Sequence, residues 1–204
     1  MDSTEVKPEK MKVPELQPHH SRLGNRFTRW FGRSMLGLLG WKITGEFPAD
    51  KKCVICIAPH TSNWDFFIGM FTLLALDVKL NWGGKHQIFI WPIKPLLLGL
   101  GGIAINRKQA GGFVGQIVNE FDNSESMVFA LAPEGTRNYV PKWKNGFLRI
   151  AQEANVPVYL VSWDYGNKEM HFGHGIKVNN LDESMDFVRE YYQKVVAKYP
   201  DQTN

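Results

Sequence analysis

The spacing of apolar and polar positions divides the 204-residue chain into a polar opening and a regularly punctuated remainder. Residues 1–20 are rich in Lys, Glu and Pro with hardly any apolar periodicity, which reads as a flexible tail over residues 1–21 with His19 and His20 in solvent. A helical period sets in at Arg22. Leu23, Phe27, Trp30, Phe31 and Leu38 gather on one side, while Arg22, Arg26, Arg29 and Arg33 align along another. This predicts an amphipathic helix over residues 22–40. It either lies in a membrane interface, basic flank toward anionic headgroups, or docks on the core as a surface helix.

Beyond it, short apolar runs alternate with helical patterns. Strands are expected over residues 41–44, 53–58, 80–84, 103–105, 127–132 and 156–163. Helices are expected from Ser62 through the apolar run 66–76, and over 92–100, 113–121 and 146–154. Residues 170–178 suggest one or two short edge strands. A last helix begins near Asp182, with Met185, Val188, Tyr192, Val195 and Tyr199 on one face. Such alternation argues an α/β fold, a mostly parallel central sheet flanked by helices, forming one domain over residues 41–204. No stretch reaches about 18 uncharged apolar residues, so no transmembrane span is expected.

Composition narrows the function. The net charge of +4, from 24 basic and 20 acidic side chains, suits anionic partners, and no aromatic and basic run matches a nucleic-acid module. Seven Trp favour an apolar-to-polar boundary. Two cysteines cannot make a disulfide framework, and the opening residues form no signal peptide, so a reducing cytoplasm fits. Cys53 and Cys56 should point to opposite faces of one strand and not bridge.

Chemistry concentrates where strands end. His60-Thr61-Ser62-Asn63-Trp64-Asp65 follows the 53–58 run, with Pro59 between. Five residues on one helix would set two side chains roughly 140° apart, but a turn lets imidazole and carboxylate converge. The carboxylate would then fix the ring tautomer while the other nitrogen takes a proton. A plainer reading makes Ser62 an N-cap, Asp65 its capping-box partner and His60 a turn residue. A second polar turn, Pro133-Glu134-Gly135-Thr136-Arg137, follows the 127–132 run. No His, Cys and acid set has zinc spacing, and His86, His171 and His174 stand apart from one, so no metal site is expected. A serine hydrolase built on Ser62, His60 and Asp65 lacks the glycine-flanked nucleophile turn.

Together the two turns resemble the glycerolipid acyltransferases of the 1-acyl-glycerol-3-phosphate acyltransferase type, marked by a histidine, four residues and an aspartate, then Glu-Gly-Thr-Arg. Gly101 to Arg107 is similar to that family's second block, although Ala104 and Asn106 depart from its usual Phe and acid. Trp143-Lys144-Asn145-Gly146 and Val156-Pro157-Val158-Tyr159 resemble its later blocks, so the likeness spans roughly residues 51–162. The resemblance implies acyl transfer from acyl-CoA or acyl-carrier protein to a hydroxyl of a lysophospholipid such as lysophosphatidic acid. His60 would be the general base and Asp65 its orienting partner. Arg107, Glu134, Gly135, Thr136, Arg137 and Lys144 would bind substrate. Backbone N–H groups near Ser62 or at Gly135 would hold the oxyanion. It implies no metal and no cofactor beyond the acyl thioester donor. A peripheral position on the cytoplasmic side of a membrane follows, with anionic lipids as partners. A noncatalytic lipid-binding protein and a lipid hydrolase are the competing readings.

Overall fold

The computed structural model describes residues 12–106 and 111–203. In chain order its elements are α1 (Arg26–Leu38), β1 (Lys42–Gly45), β2 (Lys52–Ala58), α2 (Asn63–Leu76), β3 (Trp82–Lys85), α3 (Lys94–Gly99), β4 (Gly102–Ile105), α4 (Gly112–Asn123), β5 (Met127–Leu131), α5 (Gly146–Glu153), β6 (Val158–Asp164), β7 (Glu169–Ile176) and α6 (Leu181–Tyr192).

Strand β2 organises the fold because almost every residue in it is apolar, as a strand covered on both faces requires. It pairs parallel with β6 on one side and with β5 on the other, within the order β1-β7-β6-β2-β5. Only the β6 and β7 pairing is antiparallel, so the central sheet is mostly parallel. Alternation divides the strand between two cores. Val54, Cys56 and Ala58 pack with Ile117 and Phe121 of α4, Phe147 of α5 and Val188 of α6. Cys53 and Ile55 pack on the opposite face with Leu36 of α1 and with Ile68 and Ala75 of α2. The two thiols are thus buried on separate faces and unbridged. A large-to-small change such as Ile55→Ala at this seam should cost about 2–5 kcal/mol.

Helix α1 lies against α2 closely enough that a Cβ on Gly32 would stand 2.6 Å from Phe71 O, so only glycine fits the crossing. The helix is shorter than residues 22–40. Asn25 caps it through Phe27 N–H and Thr28 N–H, leaving Arg22 and Leu23 outside. Two of its arginines turn to the end of α2, Arg29 toward Asp77 at 3.9 Å and Arg33 Nε donating to Ala75 O at 3.3 Å. Phe27, Trp30 and Leu38 face outward.

Several expectations need correction. Val13 and Leu16 pack on the core, and His20 is buried rather than solvated, its ring 5.0 Å from Phe47 and its Nε2 3.3 Å from Asp50 O. Residues 169–176 form one strand inside the sheet, between β1 and β6, not an edge. Strands β3 and β4 pair as a separate two-stranded sheet, tied to β5 by the bridge between Asn81 and Phe129. The last helix stops at Tyr192. Tyr165 N–H takes the Val196 carbonyl at 2.8 Å; beyond the helix end Val195 still packs on the core that Met185, Val188 and Tyr192 enter, while Tyr199 is exposed.

Since β2, β3, β5 and β6 all run the same way, their carboxyl ends open at one end of the sheet. There the chain passes into Pro59, His86, Ala132 and Tyr165, the position at which α/β sheets bind ligands.

Candidate active site

Ser62 is extended in backbone and caps α2, its Oγ accepting Trp64 N–H at 3.1 Å. Asp65 returns the bond, its Oδ2 accepting Ser62 N–H at 2.8 Å. The same oxygen accepts Thr61 N–H at 2.9 Å and lies 3.0 Å from His60 Nδ1. Helix capping and histidine pairing are therefore not alternatives, because one carboxylate does both. Its other oxygen, Oδ1, accepts the Tyr165 hydroxyl at 2.6 Å. Asp65 is wholly buried while the His60 side chain is 23% exposed. Bonding to a carboxylate puts the imidazole proton on Nδ1, which leaves the Nε2 lone pair as the acceptor. Trp163 backs the ring, centroid to centroid 5.2 Å.

The Glu-Gly-Thr-Arg turn splits by depth. Glu134 points inward, buried, with Oε1 accepting His60 N–H at 2.9 Å and Oε2 unpartnered. Burial pushes its carboxyl above the ordinary range, against the hydrogen bond from His60 N–H that favours the charged form. At Gly135 φ is +64°, and a Cβ there would stand 2.9 Å from Lys144 Nζ, so the exposed lysine lies over the glycine. Thr136 and Arg137 are exposed. Thr136 Oγ1 accepts Asn138 N–H at 3.3 Å, and Arg137 Nη1 donates to Asn63 Oδ1 at the start of α2. The turn that fixes the His60 backbone through Glu134 thus also carries the exposed Arg137 and lies against the exposed Lys144. Arg107 lies outside the described residues. Of the backbone N–H groups expected near the start of α2 or at Gly135 to hold an oxyanion, Ser62 N–H is engaged by Asp65 and Gly135 N–H by Ala132 O at 3.2 Å.

Residues 41–163, which carry both turns, match the family model described as Acyltransferase. The chain belongs to the acyltransferase family. This acyltransferase is similar in fold to the crystal structure of PlsC, the 1-acyl-sn-glycerophosphate (LPA) acyltransferase from Thermotoga maritima. The TM-score is 0.58 at 17% identity, over 85% of this chain and 81% of that one. Comparison with curated proteins gives no match.

Two aromatic neighbours of the acyltransferase site escape the sequence reading. Tyr165 and Trp163 come from the carboxyl end of β6, beside β2. Only the rule that strand ends carry function could have flagged them, since no motif surrounds them. Lys198 sits 4.9 Å over the Trp64 ring and 5.8 Å from that of Tyr165, closing the same corner from the last segment of the chain. Among the described residues, no three His, Cys, Asp or Glu side chains are grouped to hold a metal ion. His171 instead meets Thr44 Oγ1 at 2.8 Å, at the far side of the sheet.

Proposed function

We propose that this acyltransferase moves a fatty acyl group from a thioester, acyl-CoA or acyl-carrier protein, to a hydroxyl of a lysophospholipid such as lysophosphatidic acid. The observation that carries the reading is the His60 Nδ1 contact with Asp65 at 3.0 Å, which frees Nε2 as a base at the open end of the sheet. Nε2 takes the proton of the acceptor hydroxyl as its oxygen attacks the thioester carbonyl. Asp65 stabilises the imidazolium so formed. The tetrahedral intermediate collapses with cleavage of the carbon–sulfur bond, and the imidazolium returns its proton to the leaving thiolate. Because a thiolate leaves readily, the step draws on no metal, no prosthetic group and no acyl-enzyme.

Arg137 and Lys144 give the acceptor's phosphate two cations beside the histidine, and a guanidinium matches phosphate oxygens in pairs. The PlsC of Thermotoga maritima is named for 1-acyl-sn-glycerophosphate, a substrate of that chemistry. Glu134 supports the site from beneath, fixing the His60 backbone. Ser62 Oγ is engaged in the helix cap, which disfavours a serine nucleophile and hence a hydrolase.

The acceptor is a lipid, and the protein works as a peripheral enzyme on the cytoplasmic face of an anionic membrane. Among the described residues no helix is long and apolar enough to cross one. Exposed Phe27, Trp30 and Leu38 on α1, with Arg26 beside them, have the composition of an interfacial contact. Incubating the protein with labelled acyl-CoA and a panel of lysolipids, read by mass spectrometry, tests the reading. Thioester consumption that depends on an added lysolipid is the expected result. Consumption indifferent to every lysolipid would sink it.

A further inference from the structure

The segment between β3 and β4 carries a second apolar surface, separate from α1. Ile88, Ile90, Trp91, Ile93, Leu96 and Leu98 all stand exposed, Trp91 by 86%. Exposed apolar side chains in such a run mark an interaction surface on a soluble fold. Their platform is ordered. Phe89 is buried and stacks near Trp82, centroids 6.0 Å apart, while Trp82 Nε1 donates to Leu100 O at 3.0 Å and Lys94 N–H to Ile90 O at 2.8 Å. These contacts hold the backbone while the neighbouring side chains project.

Charge selects the occupant. From Val78 to Asn119 the sequence holds no Asp or Glu, yet it holds Lys79, Lys85 and Lys94. A second stretch without acids runs from Leu16 to Gly45 and includes all of α1. Apolar side chains interspersed along the chain with lysines and no acid suit an anionic bilayer. Position agrees with that. β3 is parallel to β5 at the Asn81 and Phe129 bridge, so the segment leaves the sheet at the end where β5 passes into Glu134 and β2 into His60.

We propose that residues 86–100 form a second membrane contact, seating Ile90, Trp91 and Ile93 in the acyl boundary of an anionic bilayer and turning the His60 end of the sheet toward it. The inference rests on the lipid-acceptor reading and adds an orientation to it. Acceptor lysolipid then reaches His60 from the membrane plane without passing through water.

The test uses the full chain with Ile93→Cys carrying an environment-sensitive fluorophore. Cys53 and Cys56 are buried, and burial pushes both thiols up, so the introduced cysteine labels alone. Glu153→Cys, at the end of α5 that precedes β6, is the control at the opposite end of the sheet. With vesicles of phosphatidylcholine and phosphatidylglycerol bearing acyl-chain nitroxides, the position-93 label should shift to the blue and be quenched. The position-153 label should not respond. Trp91→Glu with Leu96→Glu should weaken vesicle partitioning about tenfold or more. If the chain sediments with vesicles while the position-93 label stays aqueous, α1 alone is the anchor and this inference fails with the lipid reading intact. Concentration-dependent dimerisation abolished by Trp91→Glu would assign the surface to a second copy and overturn it equally. Failure of every lysolipid to drive thioester consumption in the wild-type chain would remove the reading beneath, whatever the label reports.

Discussion

Tyr165 donates its hydroxyl to Asp65 Oδ1 at 2.6 Å, across 100 residues of sequence, and so completes the ring of donors around the carboxylate that holds His60. Thr61 N–H, Ser62 N–H and His60 occupy the other oxygen. The aspartate is thus fixed from three directions before substrate arrives. Removing the hydroxyl in Tyr165→Phe takes away one hydrogen bond to a charged group, of a kind that contributes about 1.5–3 kcal/mol. If Tyr165 acts through Asp65 alone, the variant should fold and show kcat lowered about tenfold with acceptor KM nearly unchanged. An unaltered kcat would remove Tyr165 from the catalytic apparatus.

His60→Ala should lower turnover by about 10²–10⁴-fold, the span of a positioned acid–base group, with little loss of fold because the side chain is partly exposed. Asp65→Asn should hurt both rate and stability. An amide offers Thr61 N–H, Ser62 N–H and His60 an uncharged oxygen in place of a carboxylate, so charge-assisted bonds in a buried site are weakened as well as the tautomer control. Thermal unfolding measured beside steady-state rates separates the two: the histidine variant keeps its Tm, the asparagine variant does not.

Glu134 predicts a pH dependence of stability. Its folded-state pKa lies above the ordinary glutamate value of 4.5. Between those two values the folded chain binds more protons than the unfolded one, so stability is greatest below pH 4.5 at this group and declines as pH rises through the folded pKa. Glu134→Gln keeps an oxygen for His60 N–H and removes the buried charge. Urea midpoints across that window should decline with pH in the wild type and stay flatter in the variant. Parallel curves for the two proteins would show that Glu134 does not titrate there.

How much of this was legible beforehand follows from where each partner lies. β2, β5 and β6 are largely buried on both faces, so their sequences read as mostly apolar runs, and the ends of β2 and β5 point to His60 and to Glu134. The His60 and Asp65 contact was legible because both partners belong to one capped turn. Tyr165 was not, since nothing within its own turn signals a partner so far away in sequence. Residues 170–178 read as edge strands, although β1 covers the far side of β7 by pairing. His20 read as solvated because its cover, Phe47 and Asp50, lies in the connection after β1. The inward turn of Glu134 could not be separated from the outward turn of Arg137 by motif alone, because depth is set by the neighbouring strands.

Helix α1 is both core and surface, which decides how the proposed membrane contact should be tested. Leu36 is fully buried and Gly32 sits against the α2 backbone, so deleting the helix exposes one face of the core. Phe27→Glu with Trp30→Glu changes only exposed side chains and should leave Tm within a few degrees. Sedimentation with anionic vesicles should fall, and salt should weaken the remaining binding, since exposed charges are screened within about 10 Å at 0.1 M. Binding insensitive to both would make α1 structural only.

Arg137 is held by Asn63, the first residue of the helix whose cap contains Asp65, so the arginine and the His60 pairing are tied to one turn. If Arg137 binds the acceptor phosphate, Arg137→Ala removes a charge-assisted contact, of a kind that contributes about 1.5–3 kcal/mol, or roughly ten- to a hundredfold in kcat/KM. The loss should appear in acceptor KM and spare donor KM, provided the contact is as strong in the ground state as in the transition state. Arg137→Lys should restore part of it, because an ammonium keeps the charge but not the paired donors. Lys144→Ala should add a smaller defect of the same kind, since its amine lies over Gly135 beside that arginine. Asn63→Ala supplies the control. It frees the guanidinium without removing it, so acceptor KM should rise less than in Arg137→Ala while the His60 pairing is kept. A rise in donor KM instead, in either arginine variant, would place Arg137 on the thioester and leave the phosphate without a receptor on this turn.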